Sequence, residues 1–277
     1  MVRRRTLSAE GNVGIRTVQP NTVNSQRTRA QTRGSWYLVP ALLSLLLLSP
    51  ARAADLSGGA GLLLAPTADY VGRGSYAFGI TTVDEHYRPY YKEPHATVLH
   101  YYHIGLSGGI DVTMGITNFD GRLFAQKFGS ERPLGSTAAG TPAGGWNIDR
   151  SLSARLLLLR QGRHSPSLAL GMRDITGTSN FGANYLVASY RFPKPVWDAN
   201  ATPPGIGVHL GIGTNRLHGL FGGIDYWPTS RLGVMAETVD GRVHAGLRWR
   251  ATRQFQIQPS LMGLRWLGGG IAYAHRM

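Results

Sequence analysis

The chain has 277 residues, no cysteine, 37 glycines and 16% charged residues, and it carries a formal net charge of +14. The absence of Cys excludes a disulfide framework and a lipid-linked cysteine. The basic balance does not mark a nucleic-acid binder: about half of it sits in residues 1–53, where eight Arg face the single acid Glu10, and the remaining Arg stand singly with no basic cluster or nucleic-acid motif.

Taken in order, the chain opens with a long polar stretch and then a thirteen-residue apolar run, Trp36–Leu48, preceded by Arg27, Arg29 and Arg33 and followed by Ala51-Arg52-Ala53. This is the pattern of a secretory signal peptide with cleavage before Ala54. The run is too short to cross a hydrocarbon core of about 30 Å as a helix, which takes roughly 20 residues. Three parts are expected: a signal peptide with a long basic n-region over 1–53, a Gly/Pro-containing segment over 54–74, and a folded unit over 75–277.

From residue 75 onward the pattern is alternation. Twelve runs have it: 75–83, 97–106, 109–117, 148–159, 167–174, 183–191, 205–213, 219–226, 231–238, 241–250, 254–262 and 266–275. In 205–213, for example, Ile206, Val208, Leu210 and Ile212 share one face while Gly207, His209, Gly211 and Gly213 share the other. Turn formers separate the runs, with Ser107-Gly108 and Val239-Asp240-Gly241 as tight hairpin signals. Longer connections are expected at 87–94, at 118–146 and at 193–204.

An even number of strands, most of them 8–10 residues long, matches the length of tilted strands that cross a membrane. The fold class expected is all-β, an antiparallel transmembrane β-barrel of about twelve strands, since closing the sheet abolishes its edges. Glycines on the inner face leave room for large inward side chains, and Trp197, Trp227, Trp249 and Trp266 suit interfacial girdles. A periplasmic β-sandwich binding module is the structural rival.

Three stretches carry a resemblance: Gly61-Leu-Leu-Leu-Ala-Pro-Thr-Ala68, Leu170-Gly-Met-Arg-Asp-Ile-Thr-Gly-Thr178 and Tyr185-Leu-Val-Ala-Ser189. In their order, and with Gly207–Gly213, Gly222–Tyr226 and Met235–Thr238 following, the sequence resembles the YjbH family of outer-membrane proteins associated with exopolysaccharide or capsule production, in a single-barrel form. The resemblance implies residence in the outer membrane of a Gram-negative bacterium, contact with outer-membrane lipid, and a non-enzymatic role in exopolysaccharide export or surface assembly alongside polysaccharide and envelope export proteins. It also marks Asp174, Gly177 and Thr178 as a motif loop. From the alternation alone, Asp174 is expected to cap that loop through Thr176 and Thr178.

Arg173, His209, Glu237, Arg242, His244 and Arg248 share the faces assigned to the lumen. They are expected to form a polar network across neighbouring strands, filling the barrel or lining a path for saccharide. Ser189, His244 and Glu237 can be arranged on paper as a hydrolase trio, acting on lipid or polysaccharide, but no nucleophile motif requires it. No cofactor motif is present and no metal site is expected, because His100 and His103 point to opposite faces of one strand.

Overall fold

The computed structural model describes residues 54–69, 71–84, 97–119, 148–176, 181–193 and 204–276. The signal-peptide region, Gly177, Thr178, Trp197 and most of the three long connections lie outside them. Twelve strands form: β1 Ser75–Val83, β2 Thr97–Gly105, β3 Ile110–Asn118, β4 Ile148–Leu159, β5 Ser167–Arg173, β6 Ala183–Phe192, β7 Gly205–Gly213, β8 Gly219–Trp227, β9 Leu232–Val239, β10 Arg242–Arg250, β11 Phe255–Met262 and β12 Trp266–Arg276. No strand end differs from its sequence expectation by more than one residue.

Each strand pairs antiparallel with its neighbours in sequence, and β1 closes on β12 from Ser75↔Arg276 to Val83↔Gly268. No edge remains, so the closed barrel expected from the alternation is the observed fold. The hairpins explain how so many strands keep register. At the β9–β10 turn, Asp240 and Gly241 both have positive φ, 52° and 69°, the requirement of a two-residue turn whose twist matches the flanking strands. Between β2 and β3 a short 3₁₀ turn takes over, with Gly108 and Gly109 also at positive φ.

The two faces of this sheet are inverted relative to a water-soluble protein. Ile206, Val208, Leu210 and Ile212 on β7 are half exposed or more, as are Leu220, Ile224 and Tyr226 on β8, while His209, Asp225, Glu237, His244 and Arg248 are buried. An apolar belt around a polar interior is the arrangement a lipid solvent selects. It excludes the sandwich, whose apolar side chains would face inward.

Two girdle assignments are corrected: Trp266 pairs with the buried Met262 and so has the lumen parity, and Trp227 is more deeply buried. Trp227 is 2% exposed and faces inward at the barrel mouth, with the Arg250 guanidinium 4.4 Å from its ring centroid. Its position alternates in step with Asp225 and Phe221, so strand parity turns it into the lumen whatever its affinity for interfaces. Trp249, by contrast, is exposed on the outer face.

Candidate functional site

Residues 54–69 lie inside the barrel. The segment folds on itself: Asp55 N–H donates to Gly59 O, Leu56 N–H to Leu63 O, Leu62 N–H to Ala65 O and Thr67 N–H to Ala60 O. Asp55 fixes the first turn, its Oδ1 accepting from Ser57 N at 2.8 Å, Ser57 Oγ at 2.6 Å and Gly59 N at 3.0 Å. This is the Asx geometry that makes Asp a turn residue. Leu62, Leu63, Ala65 and Ala68 are essentially inaccessible to solvent.

Four charged wall side chains bind the backbone of this plug, and Thr81 and Gln258 add donors to Leu56 O and Leu62 O. Glu237 on β9 accepts three main-chain N–H groups, from Leu63 at 2.9 Å, Leu64 at 2.8 Å and Ala65 at 3.0 Å. Arg248 on β10 donates to the carbonyls of Ala54, Gly61 and Leu62 at 3.0, 3.1 and 2.6 Å, and its Nε donates to Gln258 Oε1 at 2.7 Å. Arg173 on β5 reaches Leu64 O at 2.9 Å and Asp55 Oδ2 at 2.6 Å, with Tyr185 beneath its guanidinium. Arg155 on β4 donates to Thr67 O and to Asp69 O, and it is paired with Asp111 on β3.

The wall is shaped for the plug as well as charged for it. A Cβ on Gly223 would sit 2.5 Å from Leu62 Cδ1, and one on Gly246 would sit 2.7 Å from Leu63 Cδ2. Glycine at these two inward positions is the space into which the leucines fit.

A second set of polar groups continues from the end of the plug. Ala68 N–H donates to Ser189 Oγ at 2.8 Å, Ser189 Oγ lies 2.7 Å from His209 Nδ1, and His209 Nε2 lies 2.7 Å from Asp225 Oδ2. An ionised carboxylate only accepts, so Nε2 carries the proton, and with a neutral ring the Ser189 hydroxyl donates to Nδ1. Arg191 bridges Asp225 and the plug's Asp69 with two hydrogen bonds to each. The Ser, His and Asp are thus connected as in a hydrolase, through Ser189, His209 and Asp225 rather than the trio considered from sequence. The Ser189 hydroxyl, however, is capped by Ala68, and the residue is 1% exposed. As arranged, the trio fastens the plug.

Of the six lumen residues expected from sequence, Arg173, His209, Glu237 and Arg248 meet at the plug or its anchor. The expectation that they pair with one another across strands is corrected: Arg173, Glu237 and Arg248 are satisfied largely by residues 54–69. His244 is buried but serves elsewhere, accepting Gly263 N–H at 2.9 Å and so holding the β11–β12 turn. Arg242 has the inward parity but stands exposed at the start of β10, at the rim. Sequence reading missed Arg155, Asp111, Arg191, Asp225 and Gln258, all of which alternate into the lumen, and the plug itself.

Asp174 caps its loop through Phe181, and its expected partner Thr178 lies outside the described residues. Its Oδ2 accepts from Phe181 N at 3.1 Å, and its own N–H donates to Ser153 Oγ. Burial pushes its carboxyl above the ordinary carboxylate value, the Phe181 N–H opposing and the nearby Asp149 charge assisting.

Three cavities lined by described residues adjoin the plug, of about 20, 10 and 10 Å³, the first between Asp55, Asp111, Arg155, Arg173 and Tyr185. That is room for water, not for a sugar ring. Closed strands, a lipid-facing belt and a chain segment folded into the lumen define a plugged β-barrel of the outer-membrane type. The chain belongs to the YjbH family: the family model described as exopolysaccharide biosynthesis protein YbjH matches residues 54–219, more than half of its length. Among solved structures it is similar to the N-terminal β-barrel domain of Pseudomonas aeruginosa OprF, at 8% identity over 74% of this chain and 99% of that one, with a TM-score of 0.25. A triple mutant of the Rh. blastica porin is similar at 11% identity over 73% of this chain and 98% of that one, with a TM-score of 0.30. No curated protein sequence matches the chain significantly.

Proposed function

We propose that this protein is an outer-membrane barrel of a Gram-negative envelope that serves exopolysaccharide export or surface assembly without catalysing a reaction itself, and that residues 54–69 keep its lumen shut. The family supplies the polysaccharide connection. The observation that carries the closed state is the ring of Glu237, Arg248, Arg173 and Arg155 bound to the plug backbone. Support for a non-enzymatic role comes from Ser189, whose hydroxyl is covered by Ala68 and so is not presented to a substrate. Both termini of the barrel lie at one end, with the short β2–β3 turn. The strand ends Val83, Thr97, Asn118 and Ile148, which the two longest connections join, lie at the other, which by the pattern of such barrels faces outward.

Sucrose-gradient fractionation with heated and unheated gel samples tests the location, and deletion with a surface-polymer assay tests the role. A lock then separates two modes of action. Because the chain has no cysteine, Leu62→Cys with Gly223→Cys places one thiol on the plug and one on the wall beside it. If the plug must move, oxidation stops polymer export and reductant restores it. If the barrel works as a permanently closed scaffold, oxidation changes nothing.

A further inference from the structure

We propose that the wall around residues 54–69 is a binding site for an anionic, hydroxyl-rich polysaccharide of the polyuronate class, and that the plug occupies it as a built-in stand-in. The inference rests on the closed-barrel reading above and goes further by naming what the wall is built to hold.

The argument is one of charge left behind. Arg155 and Arg191 have carboxylate partners on the wall itself, Asp111 and Asp225. Arg173 does not: its carboxylate partner among the described residues is Asp55, which belongs to the plug, and its other acceptor is the plug carbonyl of Leu64. Arg248, 2% exposed, donates to three plug carbonyls and to Gln258, and no ion pair to it occurs among the described residues. When the plug leaves, Arg173 loses its carboxylate and Arg248 keeps only Gln258.

Water that enters the vacated lumen solvates these groups, and an oxygen-rich anion that takes the plug's place restores the paired contacts that the plug now makes. Guanidinium recognises carboxylate through paired N–H donors. Glu237, which now accepts three N–H groups, and the Gln258 amide, which now donates to Leu62 O, are suited to sugar hydroxyls. A polyuronate offers both kinds of group on every residue. A neutral glucan offers hydroxyls alone and leaves Arg173 without a counter-charge.

The test uses the mature barrel in planar bilayers, with polygalacturonate as the probe and dextran and inorganic polyphosphate as controls. Asp55→Asn with Asp69→Asn removes the plug's charges while keeping an Oδ1 acceptor for the Asp55 turn. The variant is expected to open more often than wild type. Polygalacturonate is expected to block it at concentrations about tenfold or more below those needed for dextran, the scale of losing one charge-assisted contact. Adding Arg173→Gln is expected to abolish that preference. Channels that open but are blocked no better by polygalacturonate than by dextran would overturn the ligand assignment while leaving the plug intact as a stopper. Equal block by polyphosphate would overturn the saccharide part of it. Wild-type channels as open as the variant's would instead sink the closed-barrel reading. If the variant does not refold, as judged by heat-modifiable migration, wild-type barrel with a broad-specificity protease answers the question. Cleavage within 54–69 accelerated by polygalacturonate but not dextran supports the site, and unchanged cleavage overturns it.

Discussion

Replacing Glu237 by Ala is the most direct test of what holds the plug. The carboxylate accepts N–H groups from Leu63, Leu64 and Ala65, and the Leu63 and Ala65 bonds are fully buried. Each buried donor left without an acceptor costs about 1–3 kcal/mol, so three set an upper range of about 3–9 kcal/mol. Water entering the space left by the carboxylate offsets part of this. A loss of about 3–4 kcal/mol is therefore expected, and it should fall on the plug rather than on the strand ladders, which the substitution leaves intact. Native-state proteolysis reads the population of the opened segment when reclosing is fast. Cleavage within 54–69 should then rise by about two to three orders of magnitude in the Glu237→Ala protein, with heat-modifiable migration of the barrel unchanged. Glu237→Gln keeps one oxygen but turns an N–H donor toward another, so an increase of about tenfold is expected. Cleavage of the Ala variant at the wild-type rate would refute the reasoning, since it would mean that these hydrogen bonds do not hold the segment.

Gly246→Ala should overpack the wall against Leu63 at a cost of about 1–3 kcal/mol, relieved when combined with Leu63→Ala; strict additivity of the two in urea unfolding would count against the contact. Leu210→Lys places a charge at the middle of β7 on the outer face, and in bilayers it should cost about 2–4 kcal/mol, whereas a water-facing position would tolerate it. Because the native fold raises the Asp174 pKa, its ionisation weakens the protein above the folded value, and that loss is recovered as pH falls toward the ordinary one. Asp174→Asn, which keeps the acceptor and tolerates the positive φ, should thus be more stable than wild type at neutral pH and no more stable in acid; a stability gap that is the same at both pH values would contradict this.

The barrel was legible because the bilayer forces the same period-2 signature on every strand. Ile206 to Ile212 and Val243 to Trp249 each show it without help from the rest of the chain. The side of each residue followed from parity, and Trp227 and Trp266, which have the inward parity, were placed by the interfacial liking of Trp instead. The plug was not legible because it is held mostly through its own backbone groups, which carry no residue-type signal. Leu62-Leu63-Leu64 reads equally as strand or linker. A signal did exist on the wall. Glu237 stands across from Gly223, Arg248 from Gly233 and Arg173 from Ala183. His244 stands on the other side of Glu237 and Gln258 bonds Arg248, but among the described residues no carboxylate of the sheet is paired with Arg173 or Arg248 and no Arg or Lys with Glu237, which points to a partner that the sheet does not supply, and that partner is residues 54–69.

The stretches that carry the family resemblance are not separate features once the chain is folded. Gly61–Ala68 is the body of the plug. The Leu170–Thr178 stretch supplies Arg173, which grips Asp55 and Leu64 O, and Tyr185–Ser189 supplies both the ring under Arg173 and the hydroxyl that receives Ala68 N–H. The family-matched region therefore contains the stopper and one half of its socket, on β4 to β6. The other half, Glu237, Arg248 and Gln258 on β9 to β11, lies beyond that region and binds the plug mainly through its main chain. Contacts to backbone place little demand on plug side chains, whereas Arg173 demands a carboxylate at position 55. It follows that the specificity of the plug resides in the Asp55–Arg173 and Asp69–Arg191 pairs and in the fit of Leu62 and Leu63 over Gly223 and Gly246, while Glu237 and Arg248 set how tightly any chain of that shape is held.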